Sequence, residues 1–170
     1  LARVIARAHL RGGEKGRPVY GPDVSGALEE AAAEQRDHVL VLTGCRKGPV
    51  PAALLTEGVT AAARELDRLT ALFGAETVAV ELTDHGDPHD GDRNDALAEL
   101  AGAAGLPTVA TNNVHYATPS RRRLATALAA VRARRSLDEI DGWLPAAGTA
   151  HLRDGAEMAA RFAAYPGAVA

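Results

Sequence analysis

The sequence predicts an α/β fold in which parallel strands alternate with helices, and three observations carry that reading. Residues 38–43, 77–82 and 107–110 are short β-favouring runs of strand length. The segments between them carry apolar residues at helical spacing, which suits crossover helices between parallel strands. Each run then opens into a polar tip, at 44–49, 83–91 and 111–116. Strands that all run the same way place such tips on one face, where side chains can converge.

Taken in order, residues 1–10 read as a helix with Val4, Ile5 and Ala8 at helical spacing and Arg3, Arg7 and Arg11 on its polar side. Residues 11–22 hold Gly12, Gly13, Gly16, Pro18, Gly21 and Pro22, so they form a loop. Asp23 is placed to cap a helix through Leu28 to Gln35. The 38–43 run is almost continuously apolar, as a strand buried on both faces is. A short helix over 51–55 precedes a longer one over 58–73. The longer one has Val59, Ala62, Ala63, Leu66, Leu69 and Leu72 on one side and stops at Gly74.

After the second strand, Asp92 caps a helix bearing Ala96, Leu97, Leu100 and Ala104, which Gly105 ends. The third run starts as a buried strand with Val109 and Ala110 inside. A helix over 119–135 then turns Leu124, Leu128 and Val131 inward, and Ser136 caps a short helix through Ile140. Trp143 and Leu144 lead into a loop. Asp154 caps a last helix over 155–164, which buries Met158 and Phe162.

A chain of 170 residues with 46% hydrophobic content builds one domain with a real core. Its net charge of −3 gives no global electrostatic case for nucleic-acid binding. Arg121, Arg122 and Arg123, followed by Arg132, Arg134 and Arg135, form a local basic patch. A solvated helix face is the favoured account of it, and contact with a phosphate backbone is the other. One cysteine rules out an intramolecular disulfide and fits a reducing, cytoplasmic setting. No segment is long and apolar enough to span a membrane, and no signal peptide is visible.

The chain starts at Leu1, inside an apparent helix, and its one methionine is Met158. It therefore reads as a piece of a longer protein. Three strands also make a poor complete sheet for this length, so part of a larger barrel or open sheet is expected. An incomplete barrel would expose strand edges and apolar helix faces, and the isolated chain is expected to aggregate.

Two strand ends suggest chemistry. Cys45 follows the first strand and His115 the third, and a thiolate with an imidazole suits zinc or a similar ion. An inert cysteine beside a hydrogen-bonded histidine is the competing account. The 83–90 loop gathers His85, His89, Asp84, Asp87 and Asp90, with Glu81 just before it. Such a cluster can hold a metal or do acid/base work, or it can be an acidic turn feeding a helix N-terminus. Gly44 to Gly48, with Arg46 and Lys47, could cradle a phosphate but lacks the full P-loop pattern.

The motifs T-G-C-R-K-G at 43–48, E-L-T-D-H-G at 81–86 and G-L-P-T-V-A-T-N-N-V-H-Y at 105–116 carry a resemblance. In this order they resemble the PHP (polymerase and histidinol phosphatase) domain of bacterial DNA polymerase III alpha subunits. R-R-S-L-D-E at 134–139 and G-A-E-M at 155–158 extend it over essentially the whole chain. T-N-N-V-H-Y-A-T-P and G-W-L-P-A, near Trp143, are most similar to the error-prone, DnaE-type branch.

The resemblance implies that residues 1–118 are the later part of a distorted (β/α)7 PHP barrel. Residues 119–170 would be a helical C-terminal tail leading towards a polymerase module. It implies a divalent metal, zinc or manganese, at the mouth of the intact barrel, with Cys45, Asn113 and His115 at ligand positions. The family has an aspartate where this chain has Asn113, a neutral and poorer ligand. The early H-x-H and T-D-H elements would precede Leu1, so a complete metal centre is not expected from this chain. Glu81 and His85 match family positions and are given no metal role.

The polymerase carboxylates and their magnesium would lie after Ala170, so no catalytic residue is expected here. The implied function is that of a scaffold segment in an error-prone DNA-directed DNA polymerase, which serves replication and translesion repair synthesis. DNA and deoxynucleotides would be partners through the parent, with mutasome or sliding-clamp proteins beside them. A stand-alone PHP phosphoesterase, or a degenerate binding domain, is the alternative.

Overall fold

A computed structural model describes residues 2–13, 18–19, 22–35, 38–144 and 148–169. In chain order its main elements are α1 (Ala2–Gly12), α2 (Pro22–Gln35), β1 (Val41–Leu42), α3 (Pro49–Glu57) and α4 (Val59–Phe73). There follow β2 (Val78–Thr83), α5 (Asp90–Ala104), β3 (Thr108–Thr111), α6 (Arg122–Ala133) and α7 (Gly155–Arg161). The three strands form one parallel sheet in the order β1-β2-β3. Val41 pairs with Val78, and Val80 through Thr83 pair with Thr108 through Thr111. The mixed α/β architecture with parallel strands is the one the sequence pattern predicts.

β2 carries the core because it is the middle strand. Side chains alternate across a strand, so Val78, Val80 and Leu82 share one face, and all three are buried. They pack with Val50 of α3, Ala62 and Leu66 of α4, Leu97 and Leu100 of α5, and Phe162 just past α7. Each large apolar side chain buried this way contributes roughly 1.5–3 kcal/mol. On the other face Glu81 is half-buried and held by hydroxyls. Thr111 donates to its carboxylate, and its backbone N–H donates to Thr43 Oγ1 at 2.9 Å.

The residues after α7 close the far edge of the sheet. Ala110 N–H of β3 donates to the Ala168 carbonyl at 2.7 Å. Further along, Tyr116 and His151 form a parallel bridge, and His115 N–H donates to the Ala150 carbonyl at 2.9 Å. The last part of the chain thus returns to the sheet and supplies Phe162 and Ala168 to its core.

Several expected elements differ in detail. β1 is two residues long and not a strand buried on both faces, since Leu40 is 63% and Val39 40% exposed. It is an outer strand among the described residues, so one side has no partner. β3 is half-buried along its length and not fully buried. The helix expected over 119–135 is a 3-10 turn at Pro119–Arg121 followed by α6. Leu124, Leu128 and Val131 do not face inward. They are 52%, 60% and 75% exposed, because α6 packs mainly against neighbouring 3-10 turns and not on the sheet.

Ile5 and Val59 are likewise exposed, at the outer side of α1 and the first turn of α4. The expected short helix over 51–55 is the longer α3, with Pro49 in its first turn. α2 already includes Pro22, so its start precedes Asp23. Asp92 does not cap α5, which starts at Asp90. Ser136 precedes only a 3-10 turn, Leu137–Glu139. Gly74 and Gly105 end their helices as expected, Gly105 in the left-handed conformation. Asp154 caps α7 in a reciprocal box with Glu157.

Candidate functional site

The three polar tips do converge. Cys45, Asn113 and His115 line one cavity of about 150 Å³ together with Thr83, His85 and Arg93. β1 delivers Cys45 through the turn that follows it. Gly44 makes that turn at φ +87°, and a Cβ there would meet the Gly48 backbone at 2.9 Å. The two glycines are thus explained by a close backbone approach, without a phosphate. The loop's cations reach across to the 142–144 turn: Arg46 donates to the Leu144 carbonyl at 3.1 Å and Lys47 to that of Gly142 at 2.9 Å.

The 83–90 loop is held from inside. Asp90 is buried and accepts from the N–H groups of His85 at 2.7 Å and Asp87 at 3.0 Å. Arg93, one helical turn on, pairs with it at 2.6 Å and donates to the Thr83 carbonyl at 2.8 Å. Burial works against the charge on Asp90. The two N–H donors and Arg93 outweigh it and hold the carboxyl below its ordinary value. Asp84 accepts from Gly86 N–H at 2.8 Å and pairs with Arg161 at 2.9 Å. Asp87 accepts from His89 N–H at 3.0 Å. This acidic cluster is therefore a helix-entry network, and its carboxylates are engaged by the chain itself.

His85 is buried and donates from Nε2 to the Asn112 carbonyl at 2.8 Å, which fixes the second tip to the third. The Asn112 amide is also buried. It donates to the His151 carbonyl and accepts from Arg153. Asn113 next to it takes φ +39°, a left-handed backbone that asparagine tolerates better than most residues. His115 is exposed at the mouth. Partial burial, then repulsion from His85 and Lys47, push its pKa below the usual 6.5, so the ring is neutral and able to ligate at neutral pH.

The donor set fits an ion only in part. Cys45 and His115 are good ligands by type and Asn113 is a weak one. Among the described residues, no three His, Cys, Asp or Glu side chains come together as a metal-holding group. These side chains alone do not make a metal centre. Arg93, Arg153 and Thr149, whose hydroxyl donates to the His85 carbonyl, bind this site together and were not singled out from the sequence. Arg93 had a readable signal, since it stands three residues after Asp90 and so shares a helix face with it.

No family model matches the chain. It is 55% identical over 169 residues, 99% of its length, to an error-prone DNA polymerase of Mycolicibacterium paratuberculosis. It is 52% identical over its whole length to an error-prone DNA polymerase of Nocardia farcinica. A DNA polymerase III subunit alpha of Saccharopolyspora erythraea is 30% identical over 129 residues, 76% of the chain and 11% of that relative. The chain spans 15% of the length of the two error-prone polymerases, so it matches one segment of them.

Proposed function

We propose that this chain is a PHP-type scaffold segment of an error-prone DNA-directed DNA polymerase, a nucleotidyltransferase of replication and translesion repair. The observation that carries the reading is its 55% identity, over 99% of its length, to one stretch of such an enzyme. In this reading residues 1–118 are the later part of a distorted PHP barrel, and β1, β2 and β3 are neighbouring staves of it. Residues 119–170 lead towards the polymerase module, which holds the magnesium and the transfer chemistry. DNA and deoxynucleotides are partners of the whole protein, with mutasome or sliding-clamp proteins as further ones, in the cytoplasm.

The role of this segment is to brace. Phe162 and Ala168 lock the last residues onto the sheet, and α6 with its exposed Leu124, Leu128 and Val131 faces outward. The size of the native gene product tests the reading. Mass spectrometry of the source cell should find a product far larger than 17.6 kDa with peptides on both sides of this stretch. A product that ends near this length would overturn it.

The shared cavity supports one addition. Cys45 and His115 serve as two ligands of a divalent ion, zinc or manganese, with Asn113 as a weak third, at a site that other parts of the protein complete. Such an ion would supply Lewis-acid chemistry. Replacing Cys45 and His115 together by alanine should lower the metal content of the intact protein, and unchanged metal content would end this part of the proposal.

A further inference from the structure

The cavity at Cys45 shares a wall with a larger cleft of about 540 Å³ beside α6. Arg46, His115, Trp143 and Leu144 line both spaces. The 141–144 turn therefore stands between them. We propose that this turn is a gate latched by Arg46 and Lys47. When it swings out, the cleft becomes the entrance to the cavity that holds Cys45, Asn113 and His115.

The way the turn is held points to this. Ile140 before it and Ala150 beyond it are both fully buried, so the segment is pinned on either side. Ala150 is further fixed by His115 N–H, which donates to its carbonyl at 2.9 Å. Between these points, residues 141–143 are exposed. The backbone bonds of the turn are local: Trp143 N–H donates to the Ile140 carbonyl at 2.8 Å and Leu144 N–H to that of Asp141 at 3.2 Å. Such bonds keep the shape of the turn and let it move as one piece. Two side chains tie it across to the sheet, Arg46 to the Leu144 carbonyl at 3.1 Å and Lys47 to the Gly142 carbonyl at 2.9 Å. Lys47 is exposed, so water competes for its bond. An exposed turn with few ties to the rest of the chain opens at small cost. Both latch residues directly follow Cys45, so the strand tip that carries the thiol also holds the turn over it. Trp143 is the leaf of the gate, a large half-exposed side chain that borders both spaces. None of this needs an ion in the smaller cavity or the polymerase reading.

Thiol alkylation tests the gate on the protein at its native length, kept with a chelator so that no metal masks the thiol. Mass spectrometry follows labelling of the Cys45 peptide over time. Iodoacetamide serves as the small reagent and a polyethylene-glycol maleimide as the bulky one, each rate being taken relative to that with glutathione. The Arg46→Ala/Lys47→Ala variant should label about fivefold faster or more, with the larger gain for the bulky reagent. Removing cations beside a thiol disfavours the reactive thiolate, so the direct effect of charge would slow labelling and cannot imitate an open gate. Trp143→Ala leaves that charge in place and should also speed labelling. Hydrogen exchange separates a gate from a loosened fold. The latch variant should exchange faster at Trp143 and Leu144 and keep the protection of His115 and Tyr116, whose N–H groups donate to the Ala150 carbonyl. Unchanged or slower labelling in either variant overturns the proposal, and so does exchange in the latch variant that rises equally at 115–116.

Discussion

The 83–94 stretch and the α6 arm are both dense in charge, and the chain uses that charge in opposite ways. At the end of β2, Asp84, Asp87, Asp90 and Arg93 all find partners within the chain. Along α6 and its flanks, Arg121, Arg122, Arg123, Arg132, Arg134 and Arg135 have no carboxylate partner among the described residues. The difference is burial. A charge taken out of water at a sheet end must be paired or hydrogen-bonded, whereas a charge on an exposed helix loses nothing by staying solvated. The same residue types therefore mean framework in one place and available surface in the other.

Substitutions at the sheet side should give the largest effects. Phe162→Ala should cost about 3–5 kcal/mol, read as a drop in the urea midpoint, because Phe162 is 2% exposed and fills the core against β2. A loss below about 1 kcal/mol would mean that the last residues do not hold the sheet.

Asp90→Ala should cost about 3 kcal/mol, since it leaves Arg93 unpaired beside two N–H groups without their acceptor. The pH dependence carries a sign. Asp90 has a folded-state pKa below the ordinary 3.8, so the unfolded chain takes the proton first. Its stabilisation is therefore full above about pH 4 and is lost as pH falls through the lower folded value. Comparing urea midpoints from about pH 6 down to about pH 3 should reveal an acid limb that is weaker in Asp90→Asn. Identical limbs would remove Asp90 from the network. Asp154→Ala comes next, at about 1 kcal/mol, for loss of the α7 capping box.

Legibility from the sequence follows the same divide. β2 and its flanking helices were readable because an apolar run between two helical patterns has one good solution, which buries it. The convergence of Cys45, Asn113 and His115 was readable because parallel strands put their ends on one side. The length of β1 was not readable, since Val39, Leu40 and Leu42 carry a strand pattern whether or not a neighbour exists to pair with them. Leu124, Leu128 and Val131 misled for a related reason. Their spacing specifies an apolar helix face, but no pattern within the helix says what covers that face. The binding network around Asn112 was also hidden, because its partners Arg153 and His151 lie about forty residues away and come close only through the Tyr116–His151 bridge.

The smallest expected effect is the sharpest test of the comparison. If α6 is surface, Leu124→Ser and Val131→Ser should each change stability by no more than about 0.5 kcal/mol, since neither side chain leaves a packed site. What should change is solubility, because two side chains more than half exposed are removed from one helix face. A light-scattering series against concentration would register this. A fall of about 2 kcal/mol in stability would place α6 in a core and reverse the contrast, since buried leucine and valine are what such losses report. An unchanged urea midpoint with a higher solubility limit would leave α6 as a face that awaits a partner and the β2 end as the framework that presents it.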